Sequence, residues 1–222
     1  RSKLDSYSNQ PRFRRLFQNL QSHQLPVKKL KFIATDIFSG ITPRSGGDAY
    51  TNQLEGIPFV RSGEITKDGM VSDNNAIFIK PEIHDVLMRR SQLQEGDLLI
   101  AIVGATIGSV GVYNRTTPAN INQAIARIRP IEPLDPKFIA IMLMCREVMQ
   151  WAIRRAKTTA GQSNLTLELC RALPLPLPPL AEQHRIVTEV ERRLSLLRGV
   201  EGEVNAALQR ADALRQSTLT AA

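Results

Sequence analysis

Cysteine and histidine are scarce in this chain, and each scarcity closes off a class of function. Two cysteines occur in 222 residues, Cys145 and Cys170. That is too few for a disulfide framework, so a reducing, cytoplasmic compartment is expected. The three histidines, His23, His84 and His184, lie in unrelated contexts, and none belongs to a serine or cysteine nucleophile motif. No spacing suits a metal. Long apolar runs are missing too: LLIAIV at Leu98 to Val103 and FIAIMLMC at Phe138 to Cys145 both fall far short of the roughly 20 residues of a membrane span. The amino terminus lacks the basic-then-apolar order of an export signal. It opens on Arg1 rather than methionine, which points to a processed or trimmed product. The glycine-rich GATIGSVG at Gly104 to Gly111 has neither dinucleotide-fingerprint spacing nor a P-loop lysine, so a tight turn between two strands is expected. Glu64, Lys67 and Asp68 come nearest to a nuclease-like cluster, at the wrong spacing. No catalytic group, metal or cofactor is expected in this chain.

What is present is positive charge, unevenly placed. The formal net charge is +8, yet residues 180–222 balance six arginines against six acids. The whole excess therefore lies in residues 1–179. A basic body beside a neutral helical segment suits a polyanion for the first and a protein partner for the second.

The chain changes texture along its length. Residues 1–24, with RFRRLF, read as an irregular leader or short helix. From Leu25 short apolar runs alternate with turn residues, in LKFIATDIFSGITPRSGGDAY, GIPFVRSGEI and NAIFIKPEI, which predicts strands joined by loops. The densest strand signal spans Gly96 to Pro130: a buried run at Leu98 to Val103, a strand near Ser109 to Tyr113, and a third near Gln123 to Arg129. In that third strand Ile125, Arg127 and Arg129 share a face, expected to meet solvent or ligand. DPKFIAIMLMCREVMQWAIRRAK then switches period. Asp135 caps, Pro136 suits the first turn, and Phe138, Ile141, Met142, Cys145, Met149, Ala152 and Ala156 predict one core-facing helix.

Leucine and proline alternate strictly at RALPLPLPPLAEQ. In a strand, prolines at 174, 176 and 178 put every missing donor on one edge, while Leu173, Leu175 and Leu177 keep their bonds on the other and share a face. The expectation is an edge strand that pairs on one side only and buries its leucines. A polyproline ligand is the weaker alternative. From Leu180 no proline occurs, and Ile186, Val190, Leu194, Leu197, Val200, Val204, Leu208, Ala211 and Leu214 recur every 3.5 residues on average, the coiled-coil period. A helix of about 40 residues is about 60 Å long and wants a partner. The joint between strand and helix is expected to be rigid.

These motifs, in order, carry a resemblance. GDLLIAIVGATIGSVGVY with ANINQAIARIRP, then GQSNLTLELCRALPLPLPPLAEQHRIV, then ALQRADALRQSTL, resemble the target recognition domain and conserved helical region of the specificity subunit of type I restriction-modification systems, from about Leu25 to Leu219. The most specific element is Leu177 to Gln183 with the helix after it. The resemblance implies a non-catalytic, cytoplasmic reader of double-stranded DNA, in which two recognition domains read the halves of a bipartite site and two antiparallel helices set the spacing. Modification subunits with S-adenosylmethionine and restriction subunits with ATP would supply the chemistry. The chain has one such domain and one such helix, and it stops at LTAA before the Phe-x-Gly-x-Leu ending of the family. Half of a split subunit that dimerises and a fragment of a longer chain both stay open. Other readings are a recognition-domain fragment of a fused restriction-methyltransferase enzyme, or a basic coiled-coil adaptor.

The fold expected is α+β: a leader over 1–24, a mixed, β-rich recognition domain with a core helix over 25–179, and one long C-terminal coiled-coil helix over 180–222. Base-reading candidates are Thr42, Arg44 and Ser45; Arg61 and Ser62; Thr106; Asn120, Asn122 and Gln123; and Gln162, Ser163 and Asn164. Arginine can grip guanine, and asparagine or glutamine adenine, by paired hydrogen bonds. Lys28, Lys29, Arg89, Arg90, Arg127, Arg154, Arg155 and Lys157 are the phosphate candidates. For the asparagines, hydrogen bonds to their own backbone are the competing use.

Overall fold

The structure is a computed structural model, and it describes residues 25–44, 48–66, 68–72, 76–159 and 162–220. Of Lys157, Gln162, Ser163 and Leu214 only the backbone is described. The leader expected over 1–24, and Ser45, lie outside the described residues. Chain contacts divide the molecule into two units, one ending at Leu180 and one beginning at Ala181.

In the first unit the order is β1 (Val27–Lys29), β2 (Ala34–Ser39), β3 (Tyr50–Thr51), β4 (Ile57–Val60), β5 (Ile77–Ile79), β6 (Leu98–Ala101), β7 (Val110–Val112), β8 (Asn120–Ile121), β9 (Ile125–Pro130), helices α1 (Pro136–Leu143) and α2 (Arg146–Ile153), β10 (Lys157–Thr159), β11 (Gln162–Asn164), α3 (Leu167–Ala172) and β12 (Pro174–Pro176). One four-stranded sheet runs β2-β9-β6-β7, all antiparallel, and a second runs β3-β5-β4-β8, with β4 and β8 parallel. The run at Leu98 to Ala101 is apolar without alternation because all four residues are fully buried, so both faces of β6 are covered. Leu99, Ala101 and Ile125 of the first sheet cluster with Val60 and Ile121 of the second. α1 packs beside β7 and β12.

The glycine-rich stretch is the turn joining β6 to β7. Gly104 and Gly108 hold φ of 90° and 83°, a region that side chains disfavour. The Gly108 N–H closes onto the Ala101 carbonyl at 2.8 Å.

Two expectations change. The single helix after Asp135 is two. Asp135 caps α1 as expected, accepting from the Lys137 and Phe138 N–H groups at 2.8 and 3.3 Å, but the chain breaks at Cys145, which is extended at ψ 135° and starts α2. Neither Met144 nor Cys145 is a helix breaker. α1 buries every residue from Phe138 to Leu143, whereas α2 buries only Val148, Met149 and Ala152. The enclosed helix and the half-exposed one demand different directions, and packing overrides propensity.

The leucine–proline strand pairs on one edge, with β1, in the register Val27↔Pro176 and Lys29↔Pro174. The Leu30 N–H donates to the Leu173 carbonyl and the Leu177 N–H to the Pro26 carbonyl, each at 2.9 Å, on the edge the prolines leave free. Leu173 and Leu175 are buried as expected, and so are Pro176 and Pro178, while Leu177 is half-buried. Both faces of the strand are therefore covered.

The second unit is α4 (Leu180–Thr220). Its flanks carry Glu182–Arg185 and Glu189 with Arg192 and Arg193. Hydrogen bonds from these last two arginines hold the Glu189 carboxyl down to about 2. Of the expected stripe, Ile186 is buried, Val190 and Leu194 are half-buried, and Ala211 is exposed. Leu197, Val200, Val204 and Leu208 are 47%, 57%, 52% and 58% exposed, so apolar surface lies open over three turns. The Leu214 side chain lies outside the described residues. No helix among the described residues is long and apolar enough to cross a membrane.

Candidate nucleic-acid interface

Strand directions bring the loops that hold most of the base-reading candidates to one end of the body. β2, β4, β6 and β8 all finish there and β9 starts there, because Ser39 is opposite Ala126, Ala101 opposite Ile125, and Val60 beside Ile121. Backbone bonds stitch the loops beyond these strand ends. The Gly40 N–H donates to the Ile125 carbonyl at 3.2 Å, Asn122 N–H to Val60 at 3.0 Å, Ile102 N–H to Ala124 at 2.8 Å, and Leu165 N–H to Ile102 at 3.0 Å. The approach at Gly40 is tight: a Cβ there would stand 2.0 Å from the Ile121 carbonyl oxygen, so only glycine lets the 40–44 loop lie against the 121–123 turn.

On this end Thr42, Arg44 and Gln123 are exposed, and Ser62, Thr106, Asn122 and Asn164 are half-buried. The Gln123 N–H meets the Thr42 hydroxyl at 3.5 Å. Asn122 turns its side-chain oxygen to the Ala124 N–H at 3.2 Å, so part of its capacity goes to its own turn. Gln162 and Ser163 lie on β11, whose chain reaches the same end through Leu165. Arg61 is at this end but engaged: its Nε and Nη2 donate to Glu64 Oε1 at 2.9 and 2.7 Å, and its own N–H donates to Glu64 Oε2 at 3.0 Å. Glu64 is thus a counter-ion inside a turn rather than part of an acidic cluster. Asp68 likewise accepts from the Thr66 hydroxyl at 2.5 Å, and Lys67 lies outside the described residues.

Two assignments fail. Asn120 is fully buried, with its amide between His84, the Met88 carbonyl and the Ser91 hydroxyl, so it reaches no base. Arg127 is 4% exposed and paired with Asp36, so it reaches no phosphate. The arginine face of β9 is internal: Ile125 is in the core, and Arg129 holds Asp97, 1% exposed, through two bonds of 2.8 Å. That carboxylate pushes the Arg129 guanidinium pKa up. Sequence alone hides this, because the acids that neutralise the arginines sit on β2 and at the start of β6.

The remaining phosphate candidates divide. Arg89 and Arg90 are exposed, and the Arg90 guanidinium lies 5.9 Å from the Phe38 ring centroid, two residues before Gly40. They therefore flank the loop end. Arg154 and Arg155 are exposed at the end of α2; Arg155 lies over Trp151 at 4.4 Å, and Lys157 pairs in backbone register with Asn164. Lys28 and Lys29 are exposed on β1, which leads into the start of β2, so they lie away from the loops at its end. The Phe38 platform was missed in the sequence; its signal, an aromatic one strand-position from a loop, is weak without the partner register.

A β-rich body with its loops gathered at one end, and a long helix next in the chain, defines a class. Residues 35–196 match the family model described as the type I restriction modification DNA specificity domain, and the chain belongs to that family. Over 169 residues it is 36% identical to the type I restriction enzyme EcoBI specificity subunit of Escherichia coli, covering 76% of this chain and 35% of that protein. The fold is shared with a chain solved in work on complex assembly and conformational transition of the type I R-M system, at a TM-score of 0.65 and 22% identity over 90% of this chain and 49% of the other. It is shared also with the HsdS subunit of Thermoanaerobacter tengcongensis, at 0.60 and 20% over 85% and 44%. The chain thus spans between about a third and a half of the length of these relatives.

Proposed function

We propose that residues 25–179 form a target recognition domain that reads one half of a bipartite site in double-stranded DNA, and that α4 pairs with a second such helix to set the spacing of the halves. The observation that carries this is the convergence of separate loops at one end of the body, where Thr42, Arg44 and Gln123 are exposed beside Arg89 and Arg90. Such a surface mixes donors for base edges with cations for phosphates. The exposed Leu197, Val200, Val204 and Leu208 suit a helical partner, either a second copy or a second half. The chain itself does no chemistry in this reading. Modification subunits with S-adenosylmethionine, and restriction subunits with ATP, act at the site it selects.

The test uses the full chain with and without modification subunits in a duplex selection. A preferred half-site, affinity that falls steeply with salt, and self-association lost on replacing Val204 and Leu208 by asparagine are expected. A chain that shows no site preference and stays monomeric after the subunits are added would refute the reading.

A further inference from the structure

Away from the loop end, a polar cluster lies sealed beside the apolar group of Phe59, Ile79 and Met88, at the turn that carries Arg89 and Arg90. Asn120 is fully buried and His84 is 9% exposed. The amide Nδ2 donates to the Met88 carbonyl at 2.9 Å and to the Ser91 hydroxyl at 3.1 Å. A carbonyl can only accept, so the amide is oriented: its Oδ1 faces His84, and the His84 Nδ1 must carry the proton and donate. The Ser91 hydroxyl donates to the Met88 carbonyl at 3.0 Å, and Gln92 Nε2 to the His84 carbonyl at 3.0 Å. Gln92 is bridged to Asn120 by backbone as well.

The segment held this way is unusual. Ile83–Leu87 is a π-helical turn, closed by the Met88 N–H on the Ile83 carbonyl at 2.9 Å, and such turns recur at functional sites. Apolar side chains of the same volume would fill the space, but they would fix no register; a fully satisfied polar network admits one arrangement. The arrangement fixed here points outward to Arg89 and Arg90. Asn120 also belongs to β8, beside Phe59 of β4, and its chain reaches Asn122 and Gln123 two and three residues on. One amide therefore registers the arginine turn against the reading turn.

Resting on the proposed DNA-reading function, we propose that His84 and Asn120 are positioning residues for duplex binding. Their buried bond holds Arg89 and Arg90 beside the loop end, where the two arginines neutralise phosphates.

The experiment measures the affinity of the full chain for a mixed-sequence duplex across a salt series. Replacing both arginines (R89A with R90A) should lower the slope of log affinity on log salt by about 2, one phosphate contact being worth about 0.9. His84→Gln keeps bulk but moves the donor off the Nδ1 position, and should lower the slope by about 1 to 2. Added to the arginine pair, it should lower it no further. His84→Asn puts an amide nitrogen where Nδ1 stands and should restore the wild-type slope. A folded His84→Gln protein with the wild-type slope, effects that add, or a His84→Asn protein as impaired as His84→Gln overturns the proposal. Should His84→Gln fail to fold, Ser91→Ala removes one partner of the Asn120 amide, and a wild-type slope there overturns it equally. A wild-type chain that selects a half-site while the arginine pair proves silent defeats this inference alone. A wild-type chain without duplex affinity defeats the reading beneath it.

Discussion

Asp36→Ala leaves a guanidinium stranded in the body, and the cost can be worked from the geometry. The Arg127 side chain is 5% exposed and that of Asp36 27%. Without the carboxylate, Arg127 keeps the Gln92 carbonyl at 2.6 Å, and its Nε already has no partner. Opposite charges about 4 Å apart attract by about 4 kcal/mol at an effective dielectric of ~20. Removing one member of a buried pair costs about 3 to 5 kcal/mol. Partial solvation of Asp36 puts this case at the low end, about 3 kcal/mol, and for a body of this size that lowers the melting temperature by about 6 to 12 °C. Arg127→Met alone should cost less, about 1 kcal/mol, because the carboxylate it leaves is partly wet. Asp36→Leu combined with Arg127→Met should lie within about 1 kcal/mol of wild type, since an apolar pair replaces an ionic one without desolvation. Thermal melts recorded by circular dichroism report all three variants, and a salt series on a duplex is run well below the melt. An Arg127→Met protein that melts like wild type but loses about one unit of salt slope would refute the reasoning, because Arg127 would then be a phosphate ligand after all.

Leu175→Ala should destabilise the body by about 3 kcal/mol, since it empties a buried leucine site under the β1 pairing; an unchanged urea midpoint would contradict the burial. Arg44→Ala and Gln123→Ala, both on exposed side chains, should leave the melt unchanged yet cost about 1 to 3 kcal/mol of discrimination at one base position each, read by duplex selection. Burial pushes the Cys170 thiol up to about 12 and raises Cys145 as well, so neither holds appreciable thiolate at about pH 8. Both should resist a maleimide in the folded chain and react in urea, by intact mass.

Local rules carried the elements whose cause is local. The Asp135 cap, the glycine turn between β6 and β7 and the proline-free helix from Leu180 each arise from a few neighbouring residues, and the structure has all three. The leucine–proline strand was legible down to its free edge, because proline removes donors whatever lies around it. Partnership was not legible. Arg127 on an alternating strand looks the same whether solvent or Asp36 faces it, and only the β2–β9 pairing separates the cases. Asn120 and Asn122 look alike two residues apart, but one amide is sealed and the other is half-open. The break at Cys145 carries no local signal, being set by how far each half of the segment is enclosed.

The pairing of β1 with β12 has a consequence for how such a body is built into longer chains. The chain enters at Val27 and leaves at Pro176 in adjacent positions of one ladder, about 5 Å apart. Everything between, residues 30–173, hangs from a closed neck, the condition under which a compact body can be spliced into another chain without displacing its ends. Exchange of that stretch between chains keeping the same neck would change the loops presented at the far end of β2, and leave the sequence of α4 untouched.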